Sequence, residues 1–224
     1  MVRFVMTARK WLLLLLLLAF LAPLARAAEK GAVLVVYKGS EFKTPAATPV
    51  KAHLEAVLKK LGYGVAYHDV DRSLPSSQEM QKYAAVLSWH QTAKYARPQE
   101  YVRWLRDQVM AGRKVIVLGN FGAHTTDEKT WLTNEELNEF FMPFGLNYAA
   151  AYTGAAEQLQ VVSQNQKIVK GAVKPSYYLL FRSHDSRNQG DLIVRRKDLP
   201  DSDSYLVVRT PHGAMAGESY IWKD

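Results

Sequence analysis

The chain has 224 residues, with 29 Lys and Arg against 21 Asp and Glu, and it contains no cysteine. The lack of cysteine excludes disulfide bonds, thiolate metal ligands and a cysteine nucleophile. Four of the 29 basic residues fall within residues 1–27, which leaves 25 basic against 21 acidic residues and a formal charge of +4 for the remainder. Such a small excess, without a basic run, argues against nucleic acid as a partner.

The first 27 residues have the pattern of a secretory signal peptide. Three basic residues precede an apolar run of 12 residues at 11–22, and residues 25–27 read Ala-Arg-Ala, a small-x-small cleavage motif. As a helix, that run would span about 18 Å, which is short of the ~30 Å hydrocarbon layer. We therefore predict a periplasmic or secreted mature protein that begins near Ala28 and has no stable membrane span. An uncleaved membrane anchor is the alternative.

The first part of the mature chain predicts a β-α-β unit. Residues 32–37 form a continuous apolar run, which is typical of a parallel strand that is buried on both faces. An amphipathic helix follows, with Thr48 as its N-cap, Pro49 at its first position and Gly62 beyond its end. Residues 65–69 are less apolar and predict a strand near the edge of the sheet.

The alternation of strands and helices continues through the middle of the chain. Residues 84–88 predict a third strand, Pro98 opens a helix with an apolar stripe, and a central buried strand follows at 115–118. A capping box at 133–136 begins another helix, which ends at Gly145. Strands that alternate with helices in this way indicate an α/β fold with a parallel sheet.

Beyond Gly145 the helical periodicity gives way to short β-like runs that are separated by turn signals. These runs lie at 158–163, 177–181, 192–195, 205–209 and 219–222. We predict antiparallel strands that extend one edge of the sheet of a flavodoxin-like three-layer sandwich. Residues 28–148 would form its parallel core and 149–224 a β-rich extension within the same domain. Because an apolar stretch lies close to Asp224, a longer natural protein with this domain in the lead is an open alternative.

Two stretches in the middle of the chain carry a family resemblance. They read Tyr83-Ala-Ala-Val-Leu-Ser-Trp-His90 and Gly112-Arg-Lys-Val-Ile-Val-Leu-Gly-Asn-Phe-Gly-Ala-His124. Together with the order of elements over residues 32–148, they resemble the class I glutamine amidotransferase-like superfamily, in which a buried strand leads into a nucleophile elbow. When Gly122 is matched to the elbow glycine, the family's cysteine falls at Asn120.

An amide side chain cannot attack a carbonyl, so the resemblance implies a branch without amidotransferase or glutaminase activity. Non-catalytic relatives of this kind include a trehalose-utilisation-like group and domains of envelope or polysaccharide-processing proteins. For Asn120 we predict a position at the carboxyl end of the central strand, facing the loop after Ser88. The resemblance implies a positive φ at this position, which asparagine tolerates, and we predict that Asn120 lies in a cleft with Trp89 or Phe121.

Polar and aromatic side chains follow the predicted parallel strands, at the sheet edge where open α/β sheets bind ligands. The candidate ligand-binding residues are Asp69, Trp89, His90, Asn120, Phe121 and His124. Flat apolar faces beside polar groups fit a saccharide or another small polar ligand. The competing interpretation is that the aromatic residues belong to the core and the polar ones to ordinary loops. No spacing such as His-x-x-x-His supports a metal site, and we expect no cofactor and no catalytic residue.

We therefore expect an exported, non-catalytic binding or scaffolding domain that is associated with polysaccharide export or modification, with envelope proteins as further partners. The alternative is a periplasmic hydrolase that acts on an envelope glycan or ester through Asp69, Asp71 or His90 and a water molecule. A third interpretation is that the domain leads a longer enzyme whose chemistry lies elsewhere.

Overall fold

The computed structural model describes residues 31–127, 129–153, 158–172 and 177–217. The predicted signal peptide and the strand predicted at 219–222 lie outside these ranges. Two single turns of 3-10 helix occur, at Pro45–Ala47 and Met142–Phe144. The other elements are, in chain order, β1 (Ala32–Tyr37), α1 (Gly39–Phe42), α2 (Pro49–His53), α3 (Glu55–Lys60), β2 (Gly64–Asp69), α4 (Ser77–Met80), β3 (Tyr83–His90), α5 (Pro98–Met110), β4 (Lys114–Gly119), α6 (Asn134–Phe141), β5 (Leu146–Thr153), β6 (Leu159–Gln164), β7 (Tyr177–Ser183), β8 (Gln189–Arg196), β9 (Ser204–Thr210) and β10 (Gly213–Gly217).

Eight of the strands form one mixed sheet in the order β2-β1-β3-β4-β10-β9-β8-β6. Neighbours from β2 to β10 are parallel, and those from β10 to β6 are antiparallel. The parallel part has the order of a flavodoxin-like sheet, with β10 as its fifth strand. This confirms the predicted α/β fold with a mainly parallel sheet and an antiparallel C-terminal extension. Strands β5 and β7 pair with each other in a separate two-stranded sheet.

Helices cover both faces of the parallel strands because successive side chains of each strand point to opposite faces. On one face, Val33 and Val35 pack in a cluster with Val50 of α2. On the other face, Leu34 and Val36 belong to a larger cluster with side chains of α5 and α6. The valines that we predicted to be inaccessible are all at most 5% exposed, and they are Val33, Val35, Val86, Val115 and Val117.

Local sequence signals set most helix boundaries. The Thr48 side chain accepts a hydrogen bond from the Lys51 N–H, with Pro49 in the first turn, as predicted. The Thr133 capping box is also present at the start of α6. The single helix predicted after Thr48 is instead two short helices, α2 and α3, which meet at Leu54 with φ −117°.

Strands β5 and β10 were not predicted. Strand β10 reads Gly-Ala-Met-Ala-Gly and lacks the β-branched residues on which strand prediction relies. Its position requires a glycine, because a Cβ on Gly213 would lie 1.8 Å from the Val115 carbonyl oxygen. Within the described ranges, none of the helices is long and apolar enough to cross a membrane.

Candidate functional site

The carboxyl ends of β1, β2, β3 and β4 lie side by side, and we refer to this part of the sheet with its loops as the carboxyl edge. The register pairs Tyr37 of β1 with Asp69 of β2, and His90 of β3 with Gly119 of β4. Lys38 directly follows β1. Side chains that are far apart in the sequence are therefore brought together at the place where α/β sheets bind ligands.

The Lys38 side chain is 1% exposed and lies at the centre of this edge. Its Nζ donates to the Thr92 carbonyl oxygen at 3.0 Å, to Thr92 Oγ1 at 3.0 Å and to the Lys94 carbonyl oxygen at 2.8 Å. The Gly122 carbonyl oxygen lies 3.3 Å away and Glu41 Oε1 lies 3.0 Å away. We call these five oxygens the oxygen cage; they come from α1, which follows β1, and from the loops that follow β3 and β4.

The surroundings of Lys38 identify its protonated form. A neutral amine would direct its lone pair at one of the five oxygens, whereas an ammonium group has only donors. Burial lowers the pKa of Lys38 below its ordinary value, and the neighbouring carboxylate of Glu41 acts in the opposite direction. Lys38 and Glu41 are therefore a buried ion pair.

Glu41 in turn connects the cage to the loop after β3 and to His90. Its Oε1 accepts hydrogen bonds from the Thr92 N–H at 2.7 Å and from the Thr92 hydroxyl at 2.5 Å. Its Oε2 lies 3.5 Å from His90 Nδ1. Burial alone would raise the pKa of Glu41, but the interactions with His90, Thr92 and Lys38 lower it to about 2. Glu41 is therefore an anion throughout the physiological pH range.

His90 is fully buried behind this pair. Its Nε2 lies 3.2 Å from the Tyr101 hydroxyl, and Tyr101 is itself 1% exposed. Burial lowers the pKa of His90, against the effect of Glu41. Gly122 lies directly over the ring, since a Cβ there would come within 2.3 Å of His90 Cδ2. His90 thus belongs to the buried layer beneath the carboxyl edge.

The turn after β4 differs from the prediction in one respect. Gly119 has the positive φ, +68°, and Asn120 does not. Position 119 also favours glycine for a steric reason, because a Cβ there would lie 2.8 Å from the His90 carbonyl oxygen. Asn120 is half-buried; its N–H donates to that carbonyl oxygen at 2.9 Å, and its Oδ1 accepts from the Gly122 N–H at 2.9 Å. The expected positive φ at Asn120 is therefore wrong.

The aromatic residues near this edge differ in how far their rings are exposed to solvent. Phe121 is 5% exposed and stacks on Phe140 with ring centroids 5.0 Å apart, so its ring is part of the core. Trp89 is half-buried, with its ring 6.0 Å from that of His53. Trp131 is 58% exposed, and its backbone forms an antiparallel bridge to Thr125. Of these three residues, only Trp131 is mostly exposed to solvent.

The remaining candidates lie on either side of the cage. Asp69 Oδ1 accepts from the N–H groups of Gly39 at 2.8 Å and Asp71 at 3.1 Å, which fixes the segment after β1. His124 is half-buried, and its Nε2 is a buried atom without a hydrogen-bond partner among the described residues. Burial and the charge of Lys38 lower the pKa of His124 to about 4, so its ring is neutral at pH 7.

Sequence reasoning missed Lys38 and Glu41, which contact the loop after β3 and, through Lys38, the loop after β4. The only available signal was a charged Lys-Gly-Ser-Glu segment directly after a strand that is otherwise apolar. In the part of the chain that the structure describes, no three histidine, aspartate or glutamate side chains are grouped to hold a metal ion. What the arrangement offers chemically is a set of fixed hydrogen-bonding groups around a buried ion pair.

Comparison with known proteins gives one kind of match. No family model and no curated protein matches the chain. Among solved structures, a glutamine amidotransferase from Thermotoga maritima is similar, with a TM-score of 0.44 and 9% identity over 83% of this chain and 74% of that chain. A protein described as SMU.1228c is similar with a TM-score of 0.44 and 9% identity over 83% and 75%. A glutamine amidotransferase is thus among the structures that this chain resembles, as the sequence predicted, and the likeness is one of fold.

Proposed function

We propose that the protein is an exported, non-catalytic domain that binds a saccharide or another small polar ligand at the carboxyl edge. The observation that supports this proposal is that the ionisable side chains at the carboxyl edge interact with one another. Lys38, Glu41 and His90 are each buried and contact each other or main-chain atoms. A general base or nucleophile must reach the reacting atom of a substrate, and Lys38 Nζ and Glu41 Oε1 are engaged in hydrogen bonds within the protein.

The position that corresponds to the family's nucleophile supports the same proposal. Asn120 Oδ1 accepts a hydrogen bond from the Gly122 N–H, and the side chain is half-buried. An amide NH₂ is a donor that suits a ligand hydroxyl and has no nucleophilic reactivity. We therefore assign Asn120 a binding role.

Trp131 supports a saccharide as the ligand class. Exposed tryptophan rings are costly in water, and a flat apolar face beside polar groups is the usual platform for a sugar ring. The Trp131 loop is held by its bridge to Thr125, whose hydroxyl donates to the Thr130 carbonyl oxygen at 2.8 Å. The association with polysaccharide export or modification rests on the signal-peptide pattern and the family resemblance.

The test is binding of the mature protein, residues 28–224, to a panel of envelope oligosaccharides by glycan array, followed by isothermal titration calorimetry on each hit. Burial of a large apolar side chain contributes about 1.5–3 kcal/mol, so we expect Trp131→Ala to weaken binding roughly tenfold or more. Asn120→Ala should stay folded and also weaken binding. Asn147→Ala, which alters an exposed asparagine in β5, is the matched control and should bind normally.

Two results would count against the proposal. One is binding that is insensitive to both Trp131→Ala and Asn120→Ala, which would place the ligand elsewhere. The other is turnover of glutamine, of a glycan or of a chromogenic ester that Asn120→Ala abolishes, which would favour the hydrolase or amidase alternative.

A further inference from the structure

The surroundings of Lys38 Nζ are those that proteins give to bound cations. Five oxygens lie between 2.8 and 3.3 Å from the nitrogen, and three of them are main-chain carbonyl oxygens. A hydroxyl and a carboxylate complete the set. Carbonyl, hydroxyl and carboxylate oxygens are the ligands with which proteins hold hard cations. The Lys38 ammonium group therefore lies where a free cation would be bound, and it is tethered there by its own side chain.

We propose that Lys38 is a positioning residue that supplies a tethered cation to the oxygen cage. In this proposal the positive charge and its N–H donors, more than the volume of the side chain, hold the segment after β1 and the loops after β3 and β4 in their arrangement at the carboxyl edge. The proposal concerns the folded protein without any ligand, so it does not depend on the proposed function.

The physical basis is the repulsion between the oxygens of the cage. The carbonyl groups of Thr92, Lys94 and Gly122 point their negative ends at one place, and the Glu41 carboxylate adds a full negative charge there. Without a cation the buried Gly122 carbonyl oxygen and the Glu41 carboxylate would repel each other, and the partly buried carbonyl oxygens of Thr92 and Lys94 would lose a donor. The other ionisable groups that act on this network are His90, Asp71 and His124.

The residues that Lys38 contacts are far from it in the sequence, so this one side chain links distant segments of the chain. Lys38 is 54 residues from Thr92 and 84 residues from Gly122. The cage therefore ties the segment after β1 to the loops after β3 and β4, which also contact each other through the His124 N–H and the Ala93 carbonyl oxygen. Because the candidate residues Asn120 and His124 flank Gly122, the same contact fixes their position.

The first experiment is chemical rescue of Lys38→Ala. This substitution removes three methylenes and the ammonium group, and n-propylammonium has the matching length and charge. We expect the variant to lose on the order of 10 °C in Tm, and n-propylammonium chloride to restore part of the loss in a saturable manner. Neutral n-propanol fills the same space without a charge, and tetramethylammonium has the charge without an N–H donor, so neither should restore Tm. The unmodified protein should not respond to any of them.

The second experiment separates charge from volume and does not need Lys38→Ala to fold. Lys38→Met fills the space without a cation, and Lys38→Met/Glu41→Gln also removes the buried negative charge. Hydrogen exchange measured by mass spectrometry should be roughly tenfold faster in residues 91–95 and 120–125 of both variants. Residues 204–210 of β9 lie in another part of the sheet and serve as the internal control.

Any one of three outcomes would overturn the proposal. If Lys38→Met matches the unmodified protein in Tm and loop exchange, then volume suffices. If the double variant regains full loop protection, then Lys38 only compensates the charge of Glu41. A folded Lys38→Ala variant that responds equally to n-propylammonium and n-propanol would likewise show that no cation is required.

Discussion

At the carboxyl edge of the parallel strands, the side chains of Lys38 and Glu41 pair at 1% and 7% exposure, whereas in the antiparallel strands Arg196 and Asp198 pair at 20% and 58%. Both are ion pairs of the same chemical type. Water can replace the partner of an exposed ion, but it cannot reach a buried one without opening the structure. The two pairs therefore differ in the segments that they join: the buried pair contacts the loops after β3 and β4, whereas the exposed pair joins two side chains that are two positions apart in the sequence.

The test with the largest expected effect removes the acidic residue from each of the two ion pairs. Glu41→Ala leaves the Lys38 ammonium buried without its carboxylate, and we expect the free energy of unfolding to fall by about 3 kcal/mol or more. Asp198→Ala is the matched control and should cause no measurable change. Urea denaturation of both variants gives the comparison. Equal losses for the two variants would mean that burial does not set the importance of these ions.

A second test compares two glycines with similar backbone angles, one in each region. Gly122 has φ +86° and lies over the His90 ring, whereas Gly171 has φ +75° with open space around it. An alanine at either position should cost about 1 kcal/mol for its backbone conformation, and Gly122→Ala should cost roughly 1–3 kcal/mol more for its overlap with His90. Thermal unfolding of the two variants measures the difference. If they lose the same stability, the close packing of Gly122 on His90 does not exist.

The third and smallest effect concerns mild acid. The pKa of His124 is about 4 in the folded protein, below its ordinary value of about 6.5. The unfolded chain therefore binds this proton first, and stability falls as the pH is lowered from about 6.5 towards 4. The pKa of His90 is shifted in the same direction. Each histidine contributes at most about 1.4 kcal/mol per pH unit.

We expect His124→Gln to reduce the slope of unfolding free energy against pH between about 6.5 and 5, as measured by urea denaturation in a series of buffers. The remaining slope in that interval should come from His90. Below about pH 4.5 the loss of stability should persist in the variant, because Glu41, whose pKa is about 2, then contributes. An unchanged slope in His124→Gln would show that this ring is not held neutral.

The parts of the molecule that the sequence predicted well are those with local causes. Thr48, Pro49 and the Thr133 capping box act within one helical turn. The apolar runs of β1 and β4 are themselves enough to predict that these strands are buried. The site depends instead on contacts between distant segments. The sequence around Lys38 contains no signal that Gly122 will lie next to it. The sequence around Asn120 likewise does not show that Gly119 will have the positive φ. Phe121 was ambiguous for the same reason, because its partners Phe140 and Phe141 follow a later loop.

The place of β10 has a kinetic consequence. This strand lies between β4 and β9, so within the described sheet the strand pairing between the parallel and antiparallel parts runs through residues 213–217. Until that segment docks, β4 is an open edge with unpaired main-chain groups, next to a strand of high apolar content. Pairing of residues 115 and 213 closes a very long loop, and contacts of this range slow folding. The partly folded chain therefore carries its greatest risk of aggregation at the strand that leads into the candidate site.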